Sequence, residues 1–223
     1  MKNLSMTALN KEIIGCNKCK RLVRFREKIA KNKRKEFENE EYWAKPITGF
    51  GDKDSKIVIV GLAPAAHGGT RTGRVFTGDK SSEFLYKCLY EAKLSNQPYS
   101  INKNDGLKLR NTYITTALKC VPPEDKPSSI ELKTCSYYFK KELEILKNSR
   151  SIVALGKIAF DSILKYYDQN YIKFTKKPKF KHGEVFTMPD MKKLIACYHP
   201  SPRNVNTGRL NKKMMTDLLS KII

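Results

Sequence analysis

The chain reads as an α/β protein, a central and mostly parallel sheet flanked by helices on both faces, with a helical N-terminal extension. Two observations predict this. Short apolar runs that halt at glycine, Lys56–Val60 before Gly61 and Ser151–Leu155 before Gly156, have the length and uniform hydrophobicity of strands buried on both sides. Between such runs lie segments of helical periodicity, and strand alternating with helix is the pattern of a parallel sheet closed by crossover helices. A length of 223 residues suits one domain over 1–223, with residues 1–45 as the extension.

The elements follow in order. Residues 3–14 predict a short helix leading into a turn at Cys16 and Cys19. Residues 20–40 are strongly basic with some apolar positions, which predicts a partly solvated helix and then a flexible, charged linker. After the strand at Lys56–Val60, Ser81–Leu94 places Phe84, Leu85, Cys88, Leu89 and Ala92 on one helical face. Asn111–Leu118 is rich in β-branched residues and reads as a strand. Ser128 with Glu131 has the spacing of a capping box that opens a helix to about Leu146. Lys157–Tyr167 is helical in pattern, Glu184–Met188 and Lys193–Tyr198 are strand-like, and Asn211–Ile222 closes as a helix. Residues 173–183 form a basic loop that matches no known motif.

There are 44 Lys and Arg against 22 Asp and Glu, a formal net charge of +22. A surplus of this size attracts polyanions, and neutralising phosphates releases their condensed counterions. No apolar window is long enough to span a bilayer, no basic amphipathic anchor is visible and the first residues do not read as a signal peptide. A cytoplasmic protein without a membrane partner is expected. Six cysteines in such a setting suggest metal binding or burial before disulfides. Cys16 and Cys19 are a tight pair on a turn; Cys120 and Cys135 are a wider pair across a proline-rich stretch. Four thiolates hold a tetrahedral zinc ion or a [4Fe–4S] cluster, and one short plus one long spacing favours the cluster over zinc. Cys88 and Cys197 sit in apolar patterns and read as core.

Two chemically rich segments follow directly after strands, where open α/β sheets bind ligands. The first runs GLAPAAHGGTRTGRVFTGD from Gly61 to Asp79; its glycines allow close backbone approach, and Arg71 and Arg74 supply charge. It lacks the Lys-Ser/Thr of a P-loop and the glycine spacing of a dinucleotide site. The second runs HPSPRNVNTGRL from His199 to Leu210, a strand-end histidine followed by a rigid Pro-Ser-Pro turn.

These two segments resemble the signature motifs of the uracil-DNA glycosylase superfamily, specifically its fifth, iron–sulfur family, and the spacing of Cys16, Cys19, Cys120 and Cys135 is similar to that family's cluster ligands. The resemblance runs from about residue 10 to the C-terminus. It implies a uracil-DNA glycosylase-like fold, a [4Fe–4S] cofactor and a monofunctional enzyme of base-excision repair. Such an enzyme flips uracil, and potentially hypoxanthine and other deaminated bases, out of DNA and hydrolyses the glycosidic bond. It further implies His199 as the hydrogen-bonding partner of the leaving base and Phe76 as a stacking platform. Gly61, Ala63, Pro64, Ala65, His67, Arg71, Arg74, Ser201, Arg203 and Arg209 would contact base or DNA. Asp79 is a candidate to activate water and equally a helix N-cap. Two positions depart from the family's common pattern: Thr70 and Asp125 stand where asparagine is usual, and a carboxylate at 125 either activates water or repels the departing anion. A monomer is expected, and a sliding clamp is a candidate partner. The competing reading is a non-enzymatic nucleic-acid-binding protein with a structural metal; it uses the charge and the cysteines but leaves both motifs unexplained.

Overall fold

A computed structural model describes residues 4–222. Six strands, β1 (Phe50–Gly51), β2 (Ile57–Gly61), β3 (Thr112–Thr116), β4 (Ser151–Leu155), β5 (Val185–Thr187) and β6 (Lys193–Cys197), form one sheet in the order β1-β3-β2-β4-β6-β5. The four inner strands are parallel and the two edge strands antiparallel. Every residue of β2, β3 and β4 is buried, as the apolar runs of β2 and β4 require, and β3 joins them with a largely β-branched sequence. Each fully buried aliphatic side chain there contributes about 1.5–3 kcal/mol.

The helices are α1 (Met6–Ile14), α2 (Lys20–Lys31), α3 (Gly69–Thr72), α4 (Lys80–Glu91), α5 (Ser129–Ile145), α6 (Lys157–Asn170), α7 (Pro202–Asn206) and α8 (Lys212–Ser220). Leu85, Leu89, Met215 and Leu219 of α4 and α8 pack on Ile57, Ile59, Ile114 and Val153 on one face of the sheet. Phe139 and Leu143 of α5 and Phe160 and Ile163 of α6 cover Val58, Val60, Ile152 and Ala154 on the other. The amphipathic reading of 81–94 is borne out at Leu85, Cys88, Leu89 and Ala92, while Phe84 is only half-buried and Tyr86 takes a fully buried place. The Ser128–Glu131 capping box forms as its spacing predicts, with the Ser128 hydroxyl accepting from Glu131 N–H and the Glu131 carboxylate accepting from Ser128 N–H.

The extension is part of the packing. Leu9, Ile13 and Leu22 form a third cluster with Leu118, Cys135 and Tyr138. Residues after α2 correct the expectation of a flexible linker. Tyr42 and Ile47 are buried, and the backbone N–H groups of Trp43, Ala44 and Ile47 donate to the carbonyls of Arg71, Thr70 and Lys119. The segment is a strap lying over the first motif, because aromatic and aliphatic residues spaced among its charges have a core to enter. Beyond the expected Pro-Ser-Pro turn, the second motif forms a short helix. Ser201 caps α7 by accepting from Asn204 N–H, and Pro202 occupies the first helical turn, where its missing N–H costs nothing. No helix among the described residues is long and apolar enough to cross a membrane.

Candidate active site

The strand order decides where the two motifs meet. The Gly61–Asp79 segment leaves the carboxyl end of β2 and the His199–Leu210 segment leaves that of β6, with β4 between them. Strands lie about 4.8 Å apart, so the two exits stand roughly 9.6 Å from each other. The connections from β2 and β4 run to opposite sides of the sheet, which makes this the switch point where α/β sheets take ligands. The strand between them ends on Gly156, at φ +92°, and a Cβ there would lie 3.3 Å from the Cβ of His199. A side chain at 156 would press on the histidine, so glycine leaves the gap open.

The result is a cavity of about 350 Å³ lined by Leu62, Ala63, Pro64, Ala65, Phe76, Asp79, Ser81, Asp125, His199, Ser201 and Pro202. Its volume lies within the range of small-molecule sites, roughly 300–1,000 Å³. The Phe76 ring stands 6.1 Å from the His199 ring, tilted by 34°. Phe76 is 7% exposed and takes φ +46°, an outlier for a bulky residue and a conformation that costs about 1–3 kcal/mol. Gly61 makes its placement possible, since a Cβ at 61 would come within 2.7 Å of the Phe76 ring.

Burial pushes the His199 imidazole down to about 4, so it is neutral at physiological pH. Its backbone carbonyl accepts from Asn204 Nδ2 at 2.8 Å, which ties the strand end to α7. Asp79 takes the N-cap position expected of it and stands at the cavity. Its carboxylate caps α4 by accepting from Ser82 N–H at 2.9 Å, and it also lines the cavity. Burial raises its carboxyl above the ordinary range against the pull of the Ser82 and Ser81 N–H groups. Gly68 gives it room, because a Cβ there would sit 2.0 Å from Asp79 Oδ2.

Asp125 reaches the same cavity from a single 3-10 turn, Pro123–Asp125. Both Glu124 and Asp125 have positive φ, +54° and +56°. Asp125 is exposed, and its carboxylate makes no hydrogen bond within the protein among the described residues. Asp79, Ala65 and Asp125 also line an adjoining cavity of about 390 Å³ that contains His67 and Arg34. His67 therefore stands beside the first cavity, with its Nδ1 2.9 Å from the Tyr42 hydroxyl and its ring stacked on Phe37.

The two motif arginines are a correction. Arg71 is buried and paired with Glu40, with its other N–H groups donated to the carbonyls of His67 and Gly78. Arg74 is buried against Asp105 at 2.7 Å, both about 5% exposed, and also donates to Thr77 and Ser100. Burial pushes the Asp105 carboxyl up, but Arg74 and the N–H groups of Ile101 and Leu107 hold it below its ordinary value. A buried guanidinium paired with a carboxylate of its own chain has its charge balanced internally and is not offered to a phosphate. Arg203 is exposed, and Arg209 lies with its guanidinium 4.5 Å from the centre of the Tyr198 ring. Thr70 is buried, and its hydroxyl has no partner among the described residues.

Cys16, Cys19, Cys120 and Cys135 come together from the turn before α2, the end of β3 and the first turns of α5 to line one small cavity of about 20 Å³. Its other polar residues are Lys18, Arg26, Lys119, Thr134 and Tyr138. Arg26 Nη1 donates to Cys120 Sγ at 3.2 Å, and Lys119 N–H donates to Cys135 Sγ at 3.3 Å. Burial raises the thiols of Cys19 and Cys120 and pushes Cys135 up to about 12. No group of three or more His, Cys, Asp or Glu among the described residues is gathered as a single metal ion requires. Cys88 and Cys197 are core residues, as their apolar surroundings predict.

Gly156, Gly68, Arg26 and the strap residues Glu40 and Tyr42 were not among the expected site residues. A glycine closing a strand and a glycine just before a helix were visible signals for the first two. Nothing in sequence places Arg26 over a cysteine more than ninety positions away.

A family model described as "Uracil DNA glycosylase superfamily" matches residues 48–223. A type-5 uracil-DNA glycosylase of Pyrobaculum aerophilum is 42% identical over 94% of this chain and 88% of its own length. One of Thermus thermophilus is 42% identical over 93% of this chain and 92% of its own. A type-4 uracil-DNA glycosylase of Sulfurisphaera tokodaii is 26% identical over 90% of this chain and 80% of its own. With the fold, the two strand-end segments and these likenesses in agreement, the chain belongs to the uracil-DNA glycosylase superfamily, in its type-5 family.

Proposed function

We propose that the cavity lined by Phe76 and His199 receives a uracil flipped out of DNA, and that the protein hydrolyses its N-glycosidic bond to leave an abasic site in the course of base-excision repair. Hypoxanthine and other deaminated bases are further candidate substrates. The observation that carries the reading is the meeting of both motifs at one cavity at the sheet's switch point, where an aromatic ring and a histidine stand side by side in the lining.

Bond cleavage leaves the electron pair on the base and positive charge on the sugar, and stabilising both is the main task of such a site. Phe76, fixed by its backbone and by Gly61, offers a stacking face for the base. His199, half-buried and kept neutral by desolvation, donates one N–H to the base carbonyl on which negative charge grows. Asp125, whose carboxylate is unengaged, holds and deprotonates the water that adds to the sugar. Asp79 is occupied as a cap and places its carboxyl beside the developing sugar cation. No lysine lines the cavity among the described residues, which supports a monofunctional hydrolase and not an amine-linked lyase. DNA contact falls to exposed cations such as Arg203, since Arg71 and Arg74 are buried and paired with Glu40 and Asp105.

The four cysteines are proposed to hold a [4Fe–4S] cluster. The donor set supports this: four thiols, no imidazole or carboxylate in the lining, and N–H groups from Arg26 and Lys119 directed at two sulfurs. When bound, the cluster ties the extension to the end of β3 and to α5.

The test is turnover. A uracil-containing duplex incubated with the protein and then heated in alkali is expected to break at uracil. His199→Ala is expected to lower the single-turnover rate by about 10²–10³ while DNA affinity stays near normal. An uncut strand with the intact, brown, iron-loaded protein would refute the glycosylase reading. Iron and sulfide analysis, with visible absorption, tests the cluster separately, and a colourless zinc protein would refute it.

A further inference from the structure

Four cations are buried among the described residues: Arg26, Arg71, Arg74 and Lys119. Three of them have a carboxylate of their own, Glu40 for Arg71, Asp105 for Arg74 and Glu142 for Lys119. Arg26 has none within 4.0 Å among the described residues. It stands on α2 four residues after Leu22, so the two share the buried face of that helix, and it is 5% exposed.

The hydrogen-bond partners of its guanidinium are a carbonyl, a thiol and an amide. Nη1 donates to Cys16 O at 3.4 Å and to Cys120 Sγ at 3.2 Å, and Nη2 donates to Asn17 Oδ1 at 2.5 Å. Nε is buried without a partner. A buried charge is costly unless an opposite charge balances it, as the three carboxylates do elsewhere in this fold. Holding the Cys16–Cys19 turn would need no charge, since a neutral amide donates to a carbonyl as well.

The counter-charge within reach is sulfur. Arg26 lines the same small cavity as Cys16, Cys19, Cys120 and Cys135. The other cations of that lining are committed or wet: Lys119 Nζ is paired with Glu142, and Lys18 is exposed. Four thiolates around an iron–sulfur core leave the assembly with net negative charge, and nearby charge and hydrogen bonds to the sulfurs set how readily it accepts an electron.

We propose that Arg26 is the counter-charge of the cluster, pairing with the Cys120 thiolate and setting both the reduction potential and the hold on iron; this rests on the cluster reading above. An added electron makes the assembly more negative, so a fixed cation beside it favours the reduced form and raises the midpoint potential. Without that cation the buried negative assembly is less compensated, and iron leaves it more readily.

The experiment compares the iron-loaded protein in four forms: wild type, Arg26→Gln, Arg26→Lys and the control Arg24→Gln, which removes an exposed charge from the same helix. The readouts are the midpoint of one-electron reduction, followed by visible absorption during a redox titration, and the rate of iron release to a chelator. Arg26→Gln is expected to have a midpoint below wild type and to release iron about tenfold faster. Arg24→Gln is expected to keep both wild-type values, because solvent and salt screen its charge. Arg26→Lys, which keeps the charge and loses the planar fork, is expected to restore most of the midpoint. An Arg26→Gln midpoint equal to wild type, or lowered no further than by Arg24→Gln, overturns the proposal. Should Arg26→Gln hold no iron, Arg26→Lys decides: iron retained at a midpoint near wild type supports charge compensation, and iron lost with the charge still present overturns it. A brown wild type with an unshifted Arg26→Gln refutes the role of Arg26 alone, whereas a wild type that takes up no iron refutes the cluster reading beneath it.

Discussion

The neutrality of His199 has a consequence for folding that is measurable without any substrate. A free histidine titrates near 6.5 and burial pushes this one down to about 4. Between those values the unfolded chain binds a proton that the folded chain refuses. The stability that comes from keeping His199 neutral is therefore complete above about pH 6.5 and is lost as pH falls toward 4. Integrating the proton difference from pH 7 to pH 5 gives about 2 kcal/mol. The perturbation is His199→Gln, which keeps a polar side chain of similar size and removes the titration. The assay is urea unfolding of both proteins at the two pH values. His67 and His182 are also pushed down, chiefly by burial, but they are common to both proteins and cancel in the difference. Wild type is expected to lose about 2 kcal/mol more than the variant on acidification. Parallel losses would refute the claim that His199 is held neutral, and with it the role of a neutral imidazole at the leaving base. The same neutrality predicts a single-turnover rate that does not follow a histidine titration between pH 6 and 8; a rate falling tenfold per unit above pH 6.5 would show that imidazolium is the working form.

Three further outcomes follow from the geometry. Gly61→Ala drives a methyl into the Phe76 ring and is expected to cost about 1–3 kcal/mol in thermal or urea unfolding and to lower kcat/KM on uracil DNA. Asp125→Asn is expected to slow single-turnover excision by about 10²–10⁴ with unchanged unfolding, whereas Asp79→Asn, which keeps a capping side chain, is expected to leave unfolding nearly intact and to slow excision less than Asp125→Asn does. Arg74→Ala strands Asp105 in a buried site and is expected to cost about 3–5 kcal/mol of stability while leaving the salt slope of DNA binding where it was; a changed slope with unchanged stability would return Arg74 to the DNA surface.

Much of the architecture was legible because its signals are local. The β2 and β4 runs stop at glycine, the Ser128–Glu131 spacing writes a capping box, and both sit where periodicity puts them. The cysteine set was legible for the same reason that its chemistry is specific, and the two motifs because they are long. What failed was sidedness. Arg71 and Arg74 look like phosphate ligands beside their glycines, yet Glu40 and Asp105, each more than thirty positions away, claim them in the fold. The strap at 38–47 reads as a charged linker because its few apolar residues have no visible partner until the first motif is folded beneath them.

Sequence by itself determined the periodicities, the caps, the surplus of positive charge and the inventory of reactive groups, since each depends on neighbours within a few positions. Only the tertiary structure decided that β4 lies between β2 and β6, that Gly156 keeps the gap open, and that Asp125 is exposed at the cavity while Arg74 is buried away from it. Strand order and ion-pair choice are settled by contacts between distant segments, whose free energy exists only once the chain has closed on itself.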